Sequence, residues 1–387
     1  MTNATVLRSQ LLDAIVAYLD IPKSYYEKAA ARHRSLYEWL VRDDSKVAAF
    51  DPDVRPQGSF RYGTVVRPIF AEDEYDLDNV CLLRLLDKSV LTQEQLKELY
   101  GAEIKSYARA HSMLAPVSEH NRCWRLHYAD EASFHLDTLP CIPAEQRMVE
   151  SILQRGVERD LARRAVAITD RKHPQYRELC QDWLTSNPRG FAAWFESRAA
   201  LGRRRVLREG QLRASVEDVP PYEWKTTLQR SIQLLKRHRD VMFRKNRGLA
   251  PISMIITNLA AHAYNGEEDL YEALRNIVDG MLGFISPVWP RVPNPTHPAE
   301  DYADKWSRDS RLEKSFREWH AAVSADIDHL ARSLGASSLG EIVSSRFEID
   351  LSGDEIRAFG RSPEVRIVTP AAAPLVIPRA SKPWGRP

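Results

Sequence analysis

Long apolar runs are missing from this 387-residue chain. No stretch approaches the ~20 consecutive apolar residues that a bilayer-spanning helix needs, so no membrane role is expected. The opening segment, MTNATVLRSQLLDAIVAYLD, also lacks a basic region leading into an apolar run and a cleavage site. It reads as an amphipathic helix, not a leader peptide. Cysteine is scarce, with four residues at 81, 123, 141 and 180, and none forms a C-x-x-C pair. That argues against a structural zinc site. Cys81 and Cys141 fall in apolar, strand-like runs and read as reduced core thiols, which points to the cytoplasm. The histidines do not cluster with Cys or acids at metal-ligand spacing, and none is assigned to a site. Net charge is also slight, at +2, which argues against a protein built as one broad phosphate-binding face. No internal repeat is present.

What the chain does have is a change of pattern along its length. Leu7, Leu11, Ile15 and Leu19 recur at four-residue steps with Leu12 beside them, which predicts a helix with one apolar stripe. A second helix is expected from Pro22, a residue suited to a first turn. Residues 51–64 hold two prolines and two glycines and read as a loop. YDLDNVCLLRLL reads as a strand that becomes apolar on both faces. Trp124, Leu126 and Tyr128 alternate on one arm of an expected hairpin, and Phe134, Leu136 and Thr138 on the other, with ADEA as the turn. After about residue 145 helices take over, at 146–168, 222–245, 252–264, 267–283 and 310–334. SPVWPRVPNPTHP, residues 286–298, carries five prolines and reads as a long loop. AAAPLVIPRASKPWGRP carries four prolines and reads as a mobile tail. The expected architecture is a mixed α/β lobe followed by a helical lobe, with a ligand cleft between them.

The chemistry is concentrated in PQGSFRYGTVVRPIFAEDEYDLDNV, residues 56–80. On a strand, side chains two apart share a face, so Asp76 and Asp78 point the same way. Two adjacent carboxylates repel unless a cation lies between them. Mg²⁺ is the natural one, preferring hard oxygen ligands and bridging carboxylates to substrate phosphates. Asp137, in FHLDTLP, is a third acid in an apolar strand; if its arm pairs near Asp76, the three converge. Two metals there could support in-line displacement at phosphorus. Gly58 and Ser59 stand a strand's length upstream, where a glycine lets backbone approach a phosphate and a hydroxyl holds its oxygens. Each feature alone is commonplace; their order, spacing and apolar setting together point to a nucleotidyltransferase.

TLQRSIQLLKRHRDVMF, residues 227–243, sets Leu228, Ile232, Leu235 and Met242 in an apolar stripe. Lys236 lies at its margin, and pattern alone favours a core helix with a snorkelling lysine. Arg239 falls within the stripe and needs an acid or a bound anion. Ser253 opens the next helix, as an anion ligand or as a plain N-cap. The arginine-rich run LGRRRVLREGQLR, residues 201–213, reads first as a solvated face and second as a phosphate or RNA patch.

These segments, with LQRSIQLLKRHRD, APISMIIT and NPTHPAEDYADKW in the same order, resemble the CD-NTases, the bacterial cGAS/DncV-like nucleotidyltransferases of CBASS anti-phage defence, over about residues 5–320. The resemblance implies an α+β, bilobed polymerase-β-like core with a mixed sheet and a C-terminal helical lobe, braced by a long N-terminal helix. The implied boundaries are 1–160, 161–370 and a Pro-rich tail at 371–387. It implies synthesis of a cyclic oligonucleotide second messenger from NTPs, ATP and GTP foremost, a purine-containing cyclic dinucleotide being the favoured product. That product would be read by a downstream effector, and regulatory partner proteins are implied as well. Asp76, Asp78 and Asp137 would hold two Mg²⁺ ions, with Mn²⁺ as substitute, and Asp137 would help activate the attacking hydroxyl. Gly58 and Ser59 would hold the triphosphate, and Lys236 and Ser253 would contact donor phosphates. The zinc insertion of the animal DNA sensor is lacking. The competing expectation is an RNA-dependent oligoadenylate synthase or a tRNA-end nucleotidyltransferase, either with a linear product.

Overall fold

The computed structural model describes residues 3–70, 73–128, 134–202, 225–332 and 336–349. A seven-stranded mixed sheet organises the first half. Its strands are β1 (Pro52–Gln57), β2 (Tyr75–Leu83), β3 (Ser118–Glu119), β4 (Trp124–Tyr128), β5 (Phe134–Pro143), β6 (Val166–Ile168) and β7 (Leu184–Ser186). The main path runs β1-β2-β5-β4-β3, with β6 pairing β5 and β7 pairing β6. Only β2 and β5 run parallel.

The loop expected at 51–64 is instead β1 followed by a short helix, Gly58–Tyr62. Its prolines are tolerated because β1 is an edge strand, where a missing N–H leaves no gap in an internal ladder. The hairpin arms pair as expected, Trp124 with Thr138, Leu126 with Leu136 and Tyr128 with Phe134, while the ADEA turn lies outside the described residues. The helix expected over 146–168 is two short helices, Gln146–Gln154 and Arg159–Ala162, and then β6. Gly156 at φ +85° marks the break, a conformation that favours glycine. The sheet therefore continues past residue 160, to Ser186. The long loop at 286–298 is partly a two-stranded turn, Pro293–Asn294 (β8) against His297–Asp301 (β9). The arginine-rich run beyond Gly202 and the Pro-rich tail lie outside the described residues.

β2 explains its own sequence. Leu77, Cys81 and Leu83 face a core shared with Leu136, Phe134 and the Gln93–Ala110 helix, which contributes Leu96, Tyr100, Ile104 and Tyr107. On the other face, Val80 packs with Cys141, Val166 and Ile168 in a small cluster. That second face is apolar along its far half and acidic along its near half, where Asp76 and Asp78 stand. The Gln93–Ala110 helix is fixed at its start by a capping box between Thr92 and Gln95.

A second, larger core fills the helical lobe. Leu228, Ile232 and Leu235 of the Thr227–Met242 helix are fully buried against the Ser253–Ala263, Leu270–Met281 and Ser310–Arg332 helices. Met242, expected in that stripe, is 43% exposed because it is the last residue of its helix. In place of one long N-terminal brace there are two helices. Asn3–Leu19 packs Leu11, Ile15 and Leu19 into the helical lobe's core, and Lys23–Val41 packs Leu36 and Leu40 into the sheet lobe's core. Pro22 at the junction cannot continue the first helix.

The lobes are stapled by polar side chains on one helix face. Gln229 Nε2 donates to Tyr62 O at 2.8 Å, Gln233 Nε2 to Val65 O at 2.7 Å, Lys236 Nζ to Thr64 O at 3.0 Å and Arg237 Nη2 to Arg67 O at 2.8 Å. These residues recur at helical spacing, so a single face satisfies the carbonyls of Tyr62, Thr64, Val65 and Arg67, in a segment that forms no sheet. A second staple joins Asn187 Nδ2 to Leu161 O and Thr296 O, both at 2.9 Å, and Ser186 Oγ to Glu300 at 2.7 Å.

The contact between the Gln93–Ala110 helix and β4 is tight at one point. A Cβ on Gly101 would lie 2.8 Å from Trp124 Nε1, with ring carbons closer still. Gly101→Ala should therefore destabilise the fold by about 1–3 kcal/mol, although alanine favours a helix by about 1 kcal/mol. The check is a urea titration followed by circular dichroism; an unchanged midpoint would mean that β4 shifts freely.

Candidate active site

Strand register builds the site. Parallel pairing of β2 with β5 sets Asp78 level with Asp137 and Asp76 level with His135. Antiparallel pairing of β4 with β5 sets Arg125 opposite Asp137, and β1 sets Gln57 opposite Asp78. Asp76, Asp78 and Asp137 each offer one carboxylate oxygen, and these lie within 4.8 Å of one another. At that separation two full charges repel by about 3–4 kcal/mol at an effective dielectric of about 20. Burial, with the nearby Asp76 and Asp137 charges, pushes the Asp78 carboxyl well above the usual range, and Arg125 and Lys236 only partly offset this. A divalent cation between the oxygens would reverse that balance. The donor set, three carboxylates, fits Mg²⁺ or Mn²⁺.

Two basic groups stand among these acids. Arg125 makes a two-pronged bond to Asp137, Nε to Oδ1 at 2.6 Å and Nη2 to Oδ2 at 2.8 Å. Burial would raise the Asp137 carboxyl, but the Arg125 guanidinium outweighs it and holds the group below the usual carboxylate range. His135 Nε2 lies 2.9 Å from Asp76 Oδ1, and its Nδ1 lies 3.2 Å from Glu74. Burial opposes charge on the His135 ring, but the bond to Asp76 prevails and raises its pKa. Sequence reading assigned the histidines no site and passed over Arg125. The available signals were strand parity, which sets His135 on the face of Asp137, and the hairpin pairing that places a basic residue across from that acid.

Gly58 closes the floor of the site. Its φ is +68°, and a Cβ there would lie 3.0 Å from Asp78 Cγ and inside the contact distance of Asp78 Oδ2. Both the backbone conformation and the close approach therefore exclude a side chain. Ser59 follows within the short helix that Gly63 ends at φ +65°.

Gly58, Ser59, Asp76, Asp78, Lys236 and Ser253 all line one cavity of about 720 Å³ between the lobes, with Arg125 and Arg239 in its wall. Asp137 is not in that wall. Lys236, expected at the margin of its helix stripe, is buried at 4% exposure. Its Nζ donates to Thr64 O and to Thr64 Oγ1, at 3.0 and 3.1 Å. Burial first, and the neighbouring Arg239 charge second, lower its pKa to about 7. Ser253 is the first residue of its helix, not the cap, which is Ile252. The Ser253 hydroxyl accepts from Arg239 Nη1 at 2.8 Å, and Asp240 supplies the acid that Arg239 required.

The chain is similar to known proteins over the region that carries this site. Residues 52–141, which span β1 to β5, match the family model of the nucleotidyltransferase domain of DncV-like cyclic GMP-AMP synthases. The chain is 26% identical over 322 residues to a c-di-GMP synthase of Roseivirga ehrenbergii, covering 81% of this chain and 77% of that protein. It is 28% identical over 356 residues to the cyclic dinucleotide synthase CdnG of Bradyrhizobium diazoefficiens, covering 86% and 77%. The solved structure of that CdnG in complex with GTP superposes with a TM-score of 0.62 at 22% identity, covering 92% of this chain and 96% of the other.

Gly58→Ala should cost at least about a hundredfold in nucleotidyl transfer, since a displacement of about 1 Å at reacting groups costs that much. The folded state should survive, as judged by circular dichroism. Pyrophosphate release, measured on wild type and variant, decides it; near-normal turnover would show that Asp78 does not need its present position.

Proposed function

We propose, from the premise that this chain belongs to the CD-NTase family of cGAS/DncV-like nucleotidyltransferases, that its product is a purine-containing cyclic dinucleotide with GTP as at least one substrate. The protein is an enzyme, a nucleotidyltransferase that makes a cyclic oligonucleotide from NTPs. Two observations on relatives support the finer reading: one makes c-di-GMP and the other is a cyclic dinucleotide synthase. The observation that carries the assignment of the centre is the convergence of Asp76, Asp78 and Asp137 beside the Gly58 turn, at the edge of an inter-lobe cavity.

In this reading a hydroxyl of one nucleotide attacks the α-phosphate of another. One phosphorus–oxygen bond forms, the α–β anhydride bond breaks, and pyrophosphate leaves. A second round within the linear intermediate closes the ring. Two Mg²⁺ ions held by Asp76, Asp78 and Asp137 would supply charge neutralisation at the attacking and leaving oxygens. The chain's own groups do the rest. Asp137 would help activate the attacking hydroxyl. Gly58 and Ser59 admit the triphosphate close to the backbone. Lys236 and Ser253, from the helical lobe, meet the donor phosphates, with Ser253 held in place by Arg239. The cyclic product would pass to a downstream effector, in keeping with a role in anti-phage signalling.

Lys236 makes this reading sensitive to pH. Its pKa of about 7 in the free protein means that a bound triphosphate must favour the charged form and raise that pKa. Below pH 7 the ammonium is already protonated, and binding moves no proton. Above it, binding takes up a proton and affinity declines as pH rises. Calorimetry in buffers of different ionisation enthalpy should show about one proton taken up per nucleotide near pH 8 and almost none near pH 6. Lys236→Met should abolish the difference. Uptake that is unchanged in that variant would remove Lys236 from the phosphate site.

The product is settled directly. Wild-type protein is given all four NTPs with Mg²⁺, treated with phosphatase, and the survivors are identified by mass spectrometry, with Asp76→Asn/Asp78→Asn as the control. A phosphatase-resistant dinucleotide that contains guanine and is absent from the control is the expected result. A linear product that needs added RNA would replace this reading with an oligoadenylate synthase or tRNA-end enzyme.

A further inference from the structure

The cavity wall includes Asp76, Asp78 and Arg125, yet not the third acid. Arg125 lines the cavity beside Asp137 and engages both of its carboxylate oxygens, at 2.6 and 2.8 Å. The pairing is delivered by backbone register, because Arg125 and Asp137 are direct partners across β4 and β5. Both side chains are mostly shielded, at 26% and 17% exposure, so solvent screens the pair less than it would a surface one. A guanidinium fork matches a carboxylate in two bonds and is always charged, so neutral pH does not release it.

Asp76 and Asp78 are placed differently. Asp76 is exposed and meets only a histidine among these groups, and Asp78 faces the Gly58 turn. A cation entering from the cavity meets these two oxygens first. To gain the third, it must compete with Arg125, which already occupies one lone pair on each Asp137 oxygen and neutralises its charge.

We propose that Arg125 is a resident stand-in for the divalent cation at Asp137, so that metal binding at the triad is an exchange of one cation for another. The inference rests on the reading of the triad as a metal centre. Arg125 is here a positioning residue: it holds Asp137 ionised and in place while the centre is empty, and it lowers the affinity of the free protein for metal. Once displaced, its guanidinium remains in the cavity wall, where its charge favours phosphate entry. Metal and nucleotide binding are then mutually reinforcing, because each relieves a charge that the other leaves exposed.

The test is a Mn²⁺ titration of nucleotide-free protein, with free Mn²⁺ read from its paramagnetic resonance signal. Wild type is compared with Arg125→Gln, Arg125→Met and Asp78→Asn. The two Arg125 variants should bind Mn²⁺ about tenfold more tightly, which is the loss of roughly one charge-assisted hydrogen bond's worth of competition. Tighter binding is a gain that misfolding does not produce. Affinity equal to or weaker than wild type in both variants overturns the inference. Asp78→Asn separates this from the larger reading: if it binds Mn²⁺ as wild type does, the metal centre itself is wrongly assigned. If instead it loses the ion while the Arg125 variants match wild type, only the role of Arg125 falls.

Discussion

The parallel pairing of β2 with β5 is the constraint on which the site depends. A one-residue slip would turn every side chain of one strand to the other face. Asp76 and Asp78 would then enter the core beside Tyr100 and Leu136, and Leu77 would face the cavity. Three carboxylates in one small volume are unstable by themselves, so the register must be held by something stronger than their repulsion. The alternation of Leu77, Cys81 and Leu83 on one face and Val80 on the other supplies it. Burying several such side chains, at about 1.5–3 kcal/mol each, exceeds the few kcal/mol of like-charge repulsion.

The cations around the triad follow from that arrangement. Arg125 and His135 come from the strands that register places level with the acids, so no separate loop is needed to deliver them. Lys236 comes from the other lobe, and its position depends on the polar staple between the Thr227–Met242 helix and the Tyr62–Arg67 segment. That segment begins where the Gly58 helix ends. The same short stretch of backbone thus carries the Gly58 turn and anchors the helix that carries the lysine, so a shift between lobes would move both together.

Ser253 and Arg239 show how a candidate site residue can be tied to a structural one. The arginine lies in an apolar helix stripe and requires partners, which Asp240, Pro251 O and the Ser253 hydroxyl provide. The serine is oriented by that bond, although its own helix is capped elsewhere. Burial lowers the pKa of Lys236 for a related reason: its ammonium is held by Thr64 in the packed interior, and the nearby Asp240, Asp78 and Asp76 charges only partly offset the loss of water and the Arg239 charge.

The order of the chemistry was legible in the chain because strand parity is local. Asp76 and Asp78 share a face whatever the rest of the protein does, and Gly58 precedes them at a fixed distance. Alternation also marked the hairpin arms, and four-residue steps marked the helix of Leu228, Ile232 and Leu235. Boundaries set by tertiary contacts were not legible. Pro52 and Pro56 look like a loop until β1 is known to be an edge, and residues 146–168 look like one helix until β6 is drawn into the sheet. The pairing of Arg125 with Asp137, the burial of Lys236 and the approach of Gly58 to Asp78 depend on groups far apart in the chain. Periodicity reports which face a residue occupies, but only the packed sheet and the staple between lobes decide what stands opposite that face.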